Sequence, residues 1–216
     1  AFYYTHFYEN PENIVKIIRQ AVDLGIMGVQ VLPFPRIFSA LKAVERELGE
    51  RLTVAGTIGP DDPLGNIQDY QRFKTFAMLL HGQVTDGRDT REISRLLDEV
   101  RAANCLAGVA THKPLSTLEW LTEMKLDVDL VMLPFNQLGM FMDASPKKVA
   151  EAIKGLHKPV IGKKILAAGY LRPEGALTFV SQFPCIDVVA LGIASEQEAK
   201  ETLTAAANAF SGTVDI

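Results

Sequence analysis

Three of the four histidines in this chain each follow a short apolar run, and histidine is the side chain best suited to proton transfer near neutral pH. The runs are FYYT before His6, FAMLL before His81 and LAGVAT before His112, whereas His157 precedes the run KPVIG. If the runs are parallel strands of one sheet, the first three imidazoles lie at one edge and the fourth at the opposite edge. Barrel enzymes place their chemistry at the carboxyl ends of the strands, so the pattern predicts a site there.

These three histidines could act with or without a metal ion. Together with Glu9 or Asp86, the side chains of His6, His81 and His112 could form a divalent metal site that activates water for hydrolysis or elimination. Their spacing matches no local ligand motif such as HxH or HExxH, so catalysis or substrate binding without metal, and purely structural hydrogen bonding, both stay open. His81 is the strongest individual candidate.

Two adjacent lysines, Lys163 and Lys164, lie in another apolar run. Successive side chains of a strand point to opposite faces, so one ammonium points into the barrel and the other points toward the helices. Alternation selects Lys164 as the inward residue if Gly162 and Leu166 also face inward. A desolvated lysine amine suits Schiff-base chemistry or anion binding, and the alternative is a salt bridge to an acidic loop residue.

The elements that must position these side chains alternate regularly along the chain. Eight apolar runs, at 2–7, 27–32, 52–58, 76–80, 105–111, 128–135, 158–166 and 185–193, are separated by amphipathic stretches of helical period. The runs are continuous rather than alternating, as in parallel strands covered on both faces. This predicts an α/β fold, a (β/α)8 TIM barrel forming a single domain over 1–216, with an open doubly wound sheet as the alternative. The weakest helical signal is NIQDYQRFKTF.

Three loops carry further polar or apolar signals. Asp61 and Asp62 could act as metal ligands or as acid and base, although such a Pro/Asp/Gly cluster more often caps its own turn. Ser195 begins a capping box that ends at Glu198. The apolar segment 139–142 could cover an apolar substrate, form a contact in a homo-oligomer, or fold back onto the barrel.

Composition indicates an ordinary globular chain. It has 216 residues, 48% of them hydrophobic and 22% charged, and a formal net charge of −4. Nucleic-acid binding needs concentrated Lys and Arg, so we expect a small-molecule substrate and no nucleic-acid partner. No apolar window is long enough to span a membrane, and the first residues lack the features of a signal peptide. Two cysteines without a disulfide pattern favour a cytoplasmic protein.

Most of the chain resembles the aldo-keto reductase superfamily. The segments FAMLLHGQVTD, CLAGVATHKPLSTLEWL, LDVDLVMLPFN, VIGKKILAAGYL and ALTFVSQFPCIDVVALGIASEQEAKETL are similar, in order and spacing, to that family's fourth to eighth strand motifs. The segment GIMGVQVLPFP resembles its second strand more loosely. The resemblance implies a barrel fold, whereas activity has to be argued from the site itself.

The family's reductive site uses an Asp, a Tyr, a Lys and a His. The resemblance places His81 on the histidine position, Gln30 and Pro35 on the Asp and Tyr positions, and Gly56 to Ile58 where Lys is expected. Proline has no acidic proton, so the family's proton donor is missing, and three of the four catalytic positions differ.

The resemblance also implies NAD or NADP as cofactor. It places Asn136 at a position that contacts the cofactor carboxamide, and Ser195 at a helix start that could hold a phosphate. Lys163 occupies the place of an aromatic side chain that stacks on nicotinamide, and Glu196 and Glu198 would repel a 2′-phosphate. Three hypotheses follow: a small-molecule enzyme of oxidoreductase ancestry in which His81 polarises a carbonyl, a metal-dependent hydrolase or lyase, and a non-catalytic binding barrel. The catalytic candidates are His6, His81, His112 and Lys164.

Overall fold

A computed structural model describes residue 7 and residues 9–210 of the chain. Its strands are β1 (Gly28–Val31), β2 (Thr53–Ile58), β3 (Lys74–Leu80), β4 (Leu106–Ala110), β5 (Leu130–Pro134), β6 (Val160–Lys163) and β7 (Val188–Val189). Its helices are α1 (Glu12–Asp23), α2 (Pro35–Leu48), α3 (Pro63–Tyr70), α4 (Gly82–Gly87), α5 (Thr90–Ala102), α6 (Pro114–Met124), α7 (Pro146–Leu156), α8 (Pro173–Val180) and α9 (Glu196–Phe210).

The strands form one curled parallel sheet in the order β1 to β7. Each strand pairs in parallel with the next one along the chain, which confirms the α/β barrel-type fold predicted from the alternating pattern. These strands correspond to the second to eighth apolar runs. The first run, at 2–7, and His6 within it lie outside the described residues.

Alternation along the strands separates two apolar layers. One face packs inside the curl of the sheet and consists of Ala55, Ala77, Leu79, Ala110, Leu130, Met132 and Ile161. The other face, including Val54, Met78, Val109, Val131 and Val160, packs against the helices. Burying a side chain of this size contributes roughly 2 kcal/mol to stability. The inward parity of each strand fixes which residue at its carboxyl end points into the mouth of the barrel.

Several boundaries differ from the sequence prediction for local reasons. Strand β6 ends at Lys163, because Lys164 has a left-handed φ of 56° that takes it out of the extended conformation. Helix α3 begins at Pro63, after Asp62 caps it, and ends at Tyr70, so NIQDYQRFKTF contains the end of a helix and the start of β3. The short helix α4 begins directly after His81 and precedes the longer helix α5.

Capping predictions agree with the structure. The Ser195 hydroxyl accepts a hydrogen bond from the Glu198 N–H at 3.1 Å, and the Glu198 carboxylate accepts one from the Ala194 N–H at 2.8 Å. Asp62 accepts a hydrogen bond from the Gly65 N–H, which is turn capping rather than acid–base placement. His157 caps the carboxyl end of α7, and therefore lies at the edge opposite His81 and His112, as predicted.

None of the helices within the described ranges combines the length and the apolar character that crossing a bilayer requires.

Candidate functional site at the carboxyl rim

Polar side chains occupy the inward positions at the carboxyl ends of four strands. Thr57, His81, His112 and Lys163 each lie two residues after an inward-facing apolar residue of the same strand run. Because side chains two apart share a face, these four point toward the mouth of the barrel. The apolar layer of the inward face lies below them, so the polar inward side chains are found at this rim.

His81 is held in one tautomer by the start of α4. It occupies the N-cap position of that helix, and its Nδ1 accepts a hydrogen bond from the Gln83 N–H at 3.2 Å. An imidazole nitrogen that accepts carries no proton, so the proton of the neutral ring is assigned to Nε2. Desolvation, followed by the nearby His112 and Lys163, lowers the pKa of His81. The ring is therefore neutral at pH 7 and presents an N–H donor.

His112 is held in the opposite tautomer by Asp86. Its Nδ1 lies 3.3 Å from Asp86 Oδ2, and its backbone N–H donates to the same oxygen at 3.1 Å. A carboxylate only accepts, so the proton of the neutral ring is assigned to Nδ1, and Nε2 keeps a free lone pair. His112 is thus a base oriented by a carboxylate, and its side chain is 44% exposed.

Asp86 is positioned by the end of β4. Thr111 Oγ1, fully buried, donates to Asp86 Oδ1 at 2.5 Å and accepts from the Lys113 N–H at 2.9 Å. Thr117 Oγ1 lies 2.8 Å from Thr111 Oγ1 and completes its bonding. The carboxylate is therefore fixed by a buried hydroxyl before it meets the imidazole.

Gly82 allows the two histidines to approach. A Cβ built on Gly82 would lie 2.3 Å from His112 Nδ1 and 2.4 Å from its Cε1, too close for any real contact. The absence of a side chain lets the two ring centroids come within 5.8 Å. The rim therefore holds an N–H donor and a base side by side.

Lys163, rather than Lys164, joins this group. Lys163 follows the inward Ile161 and interacts electrostatically with His81 and Asp86. Burial, followed by the charge of Lys164, lowers the pKa of Lys163 to about 8.

Lys164 instead places Nζ 3.8 Å from the centroid of Phe141. The selection of Lys164 as the inward lysine is corrected here, because Gly162 packs against Ile186 on the helix side of the sheet. We call His81, Asp86, His112 and Lys163 the charged cluster.

The loop after β6 is strained. Three residues other than glycine adopt the left-handed conformation in this loop. Their φ values are 56° at Lys164, 47° at Ala167 and 57° at Ala168. Each left-handed alanine costs roughly 1 kcal/mol relative to an ordinary conformation. Backbone hydrogen bonds hold the entry to the loop, since the Phe135 N–H donates to the Lys163 carbonyl at 2.9 Å. The strain lies directly beside the charged cluster.

A neutral pair occupies the rim at β1 and β2. Gln30 Nε2 donates a hydrogen bond to Thr57 Oγ1 at 2.8 Å. By the family resemblance, Gln30 occupies the position of the catalytic Asp, and Thr57 lies in the segment where the catalytic Lys is expected. Behind them, the Tyr70 hydroxyl donates to the Val31 and Thr57 carbonyls, and burial raises its pKa. Gly56 makes room for the Tyr70 ring. Tyr70 is therefore a buried structural group.

Asn136 and Ser195, the two residues predicted to bind a cofactor, are engaged in local structure. Asn136 is fully buried; its amide donates to the Met140 and Lys164 carbonyls at 2.9 and 3.2 Å, and its oxygen accepts from the Met140 N–H. Ser195 caps α9. With both Asn136 amide protons in use and an ammonium at Lys163 where an aromatic ring would stack, these residues do not fit a nicotinamide group.

The metal-site hypothesis receives no support from the described part of the chain. Within residues 7 and 9–210, no group of three or more His, Cys, Asp and Glu side chains is arranged to hold an ion. His81 and His112 are neighbours, but Asp86 is committed to the Thr111 hydroxyl and the backbone of His112. His6, the third ligand of that hypothesis, lies outside the described residues.

Residues missed by the sequence analysis explain how the site is held. Thr111 and Gly82 were not singled out, although each adjoins a rim histidine; a buried threonine at a strand end is a usable signal. The segment 139–142 folds back in part, with Met142 packed on the core and Phe141 under Lys164. Its predicted role in a lid or homo-oligomer stays a prediction.

Two surface grooves lie away from the rim. One, of about 530 Å³, runs between α8 and α9, and the other, of about 380 Å³, adjoins the carboxyl end of α2. Both are lined mainly by charged and polar surface side chains, and neither contains a member of the charged cluster. The inward strand ends remain the place where reactive groups converge.

Comparison with known proteins supports the fold. No protein-family model matches the chain, and no curated protein matches its sequence. Two solved structures of Pseudomonas aeruginosa proteins assigned as aldo-keto reductases superpose with TM-scores of 0.70 and 0.69, at 18% and 17% identity. Both matches cover 92% of this chain, and they cover 81% and 84% of the other chains.

A barrel of different chemistry also matches. Orotidine 5′-monophosphate decarboxylase from Methanocaldococcus jannaschii has a TM-score of 0.56 at 14% identity, over 90% of this chain and 92% of its own. Because barrels with different activities superpose on this chain, the similarity defines an α/β barrel of the kind found in enzymes and leaves the reaction to the site.

Proposed function

We propose that this chain is an enzyme that acts on a small carbonyl compound at the carboxyl rim. His81 donates its Nε2 proton as a hydrogen bond to the carbonyl oxygen, and His112 Nε2 removes a proton from the adjacent carbon. The observation that carries the proposal is the pair of opposite tautomers, imposed by Gln83 on one ring and by Asp86 on the other.

The electrostatics support this division of roles. A neutral imidazole donor stabilises negative charge on an enolate oxygen without first losing its own proton, and the lowered pKa of His81 keeps it neutral. The Asp86 carboxylate stabilises the imidazolium that forms when His112 accepts a proton. General acid–base groups placed in this way typically contribute about 10²–10⁴-fold in rate.

A nicotinamide cofactor is the alternative that the barrel's similarity to aldo-keto reductases favours. The contacts of Asn136, Ser195 and Lys163 argue against it, so no hydride step is part of this proposal. Titration with NADPH and NADH tests the alternative directly. We expect no change in cofactor fluorescence at millimolar concentration, and saturable binding would restore the reductase hypothesis.

Deuterium exchange tests the carbonyl proposal on simple carbonyl compounds. Dihydroxyacetone, glyceraldehyde and pyruvate are incubated with the protein in D2O, and loss of the proton next to the carbonyl is followed by ¹H NMR. We expect at least one compound to exchange faster with the wild-type chain. His81→Gln and His112→Asn should each slow that exchange by roughly 100-fold or more.

The matched control is His157→Asn. His157 lies at the opposite edge with a φ of 52°, and asparagine tolerates that left-handed conformation. This variant should exchange at the wild-type rate. If no compound exchanges faster than it does with His81→Gln, the proposed function is wrong.

A further inference from the structure

We propose that Lys163 is a catalytic amine, which forms a carbinolamine and then an imine with the carbonyl carbon of the substrate. This inference rests on the proposed function, because it needs a carbonyl compound at the rim. It adds a covalent step that the two histidines alone do not provide.

The first support is placement. Lys163 is the last residue of β6, pairs in register with Pro134 of β5, and follows Ile161 on the inward face. Its carbonyl accepts a hydrogen bond from the Phe135 N–H, so its backbone is fixed on the β5 side. The side chain is half-buried and leads toward the edge where His81 and Asp86 lie.

The second support is the set of charges that face the amine. The groups that act on it are Lys164, Asp86 and His81. Among the described residues, Lys163 has no carboxylate hydrogen-bonded to its ammonium, while Lys164 beside it repels a second positive charge. With a pKa of about 8, close to a tenth of the amine is unprotonated at pH 7. An ordinary lysine, with a pKa near 10.4, has roughly 200-fold less free amine.

The third support is that the two histidines of the charged cluster supply the hydrogen bond and the base that imine formation needs. The Lys163 amine attacks the carbonyl carbon, a C–N bond forms, and the Nε2–H of His81 stabilises the developing charge on the oxygen by a hydrogen bond. His112 Nε2 accepts a proton from the nitrogen and returns it to the oxygen, which gives the carbinolamine. The nitrogen lone pair then forms the C=N bond as the C–O bond breaks, and the departing hydroxide receives the remaining amine proton through His112. The carbonyl oxygen and the two amine hydrogens leave as one water molecule, so no oxidant or reductant is needed.

The diketone 2,4-pentanedione provides a direct probe, because its imine with a lysine rearranges to a conjugated enaminone that absorbs in the near ultraviolet. At pH 7 we expect about one equivalent of enaminone per chain. Lys163→Met and Lys163→Arg should reduce its formation rate at least tenfold, since neither side chain offers a nucleophilic amine. Lys154→Met, at an exposed lysine of α7 that pairs with Glu151, is the control and should stay within twofold of the wild type. Peptide mass spectrometry then locates the adduct.

The outcomes separate this inference from the proposed function. No enaminone, or equal enaminone in Lys163→Met, overturns the imine even if deuterium exchange still depends on His81. Saturable binding of inorganic phosphate that is lost in Lys163→Met, with no enaminone in the wild type, would identify an anion site instead and equally overturn the imine. Failure of deuterium exchange in the wild type would count against the proposed function itself. Thermal melting of each variant confirms that it is folded.

Discussion

The two sides of the carboxyl rim differ in charge, although both are built from inward positions at strand ends. On the β1–β2 side, Gln30 and Thr57 form a neutral pair with a single hydrogen bond between them. On the β3–β6 side, His81, Asp86, His112 and Lys163 form the charged cluster. The backbone that presents the two sets is alike, so the difference lies in the side chains and in the loops that hold them.

This contrast shows how a barrel can keep its architecture while its reactive groups change place. Strand parity decides which positions reach the mouth, and it does so equally on both sides. A polar side chain at the mouth can act as a reactive group only if hydrogen bonds also fix its orientation. Asp86 takes part in three hydrogen bonds with the end of β4 and its loop. Gln30 is exposed, and its amide makes one bond to Thr57 and one, at 3.3 Å, to the carbonyl of the adjacent Val31.

The largest expected effect comes from Gly82→Ala. The new methyl group occupies the place of the His112 ring and separates it from Asp86. We expect deuterium exchange to fall on the order of a thousandfold, within the range for loss of a general base. Gly87→Ala is the control, since a Cβ there meets no atom within 4 Å. Equal exchange rates in the two variants would show that the histidine pair has no catalytic role.

Lys163→Met should stabilise the protein at pH 7. The folded state holds the lysine at a pKa of about 8 against an ordinary 10.5, and at about 1.36 kcal/mol per pKa unit this difference amounts to at most about 3.4 kcal/mol. Because the folded pKa is lowered, the penalty is complete below pH 8 and disappears as the pH rises to 10.5. Urea unfolding of the variant and wild type at pH 7 and 10.5 measures both values.

Lys164→Met is the comparison for that measurement. It removes the contact with Phe141 but also relieves the repulsion between the two ammonium groups, so the free energy of unfolding at pH 7 should change by less than about 1 kcal/mol. A stabilising effect of similar size in both lysine variants would mean that the buried charge has been assigned to the wrong residue.

Ala168→Gly tests the strained loop on the charged side. Ala168 is exposed and left-handed, so glycine should raise the free energy of unfolding by about 1 kcal/mol. Ala167→Gly relieves similar strain but also deletes a fully buried methyl group, so the two effects nearly cancel. Urea unfolding distinguishes the variants, and a destabilised Ala168→Gly would show that the loop is not strained there.

The smallest effect is expected on the neutral side. Gln30→Ala removes the bond to Thr57 and should cost about 1 kcal/mol of stability or less. Deuterium exchange should change by less than twofold, because the neutral pair takes no part in the proposed chemistry. A tenfold loss would mean that both sides of the rim contribute to catalysis.

Much of the fold could be predicted from residue patterns. Continuous apolar runs located all seven described strands, because parallel strands covered on both faces need apolar side chains at successive positions. The end of β6 could not be predicted, since the left-handed turn at Lys164 depends on contacts with β5 and its loop. Among the site residues, His81 and His112 were identified by their place after strands, and the structure brings them together.

Other features of the site needed coordinates. The sequence analysis selected Lys164, because neighbouring positions alone do not fix the parity of a short strand. Thr111 acts through Asp86, and Gly82 makes room for His112. Thr111 is distant from Asp86 along the chain, and Gly82 is distant from His112, so no local sequence pattern indicates either contact.

The order of residues by itself determined the strands, most helices and the set of strand-end side chains, since periodicity and capping are local properties of the chain. Tertiary structure alone decided which of those side chains meet, which tautomer each histidine adopts and which lysine loses its hydration. These properties depend on sheet register and on packing between elements distant in sequence, where desolvation and hydrogen-bond geometry are set.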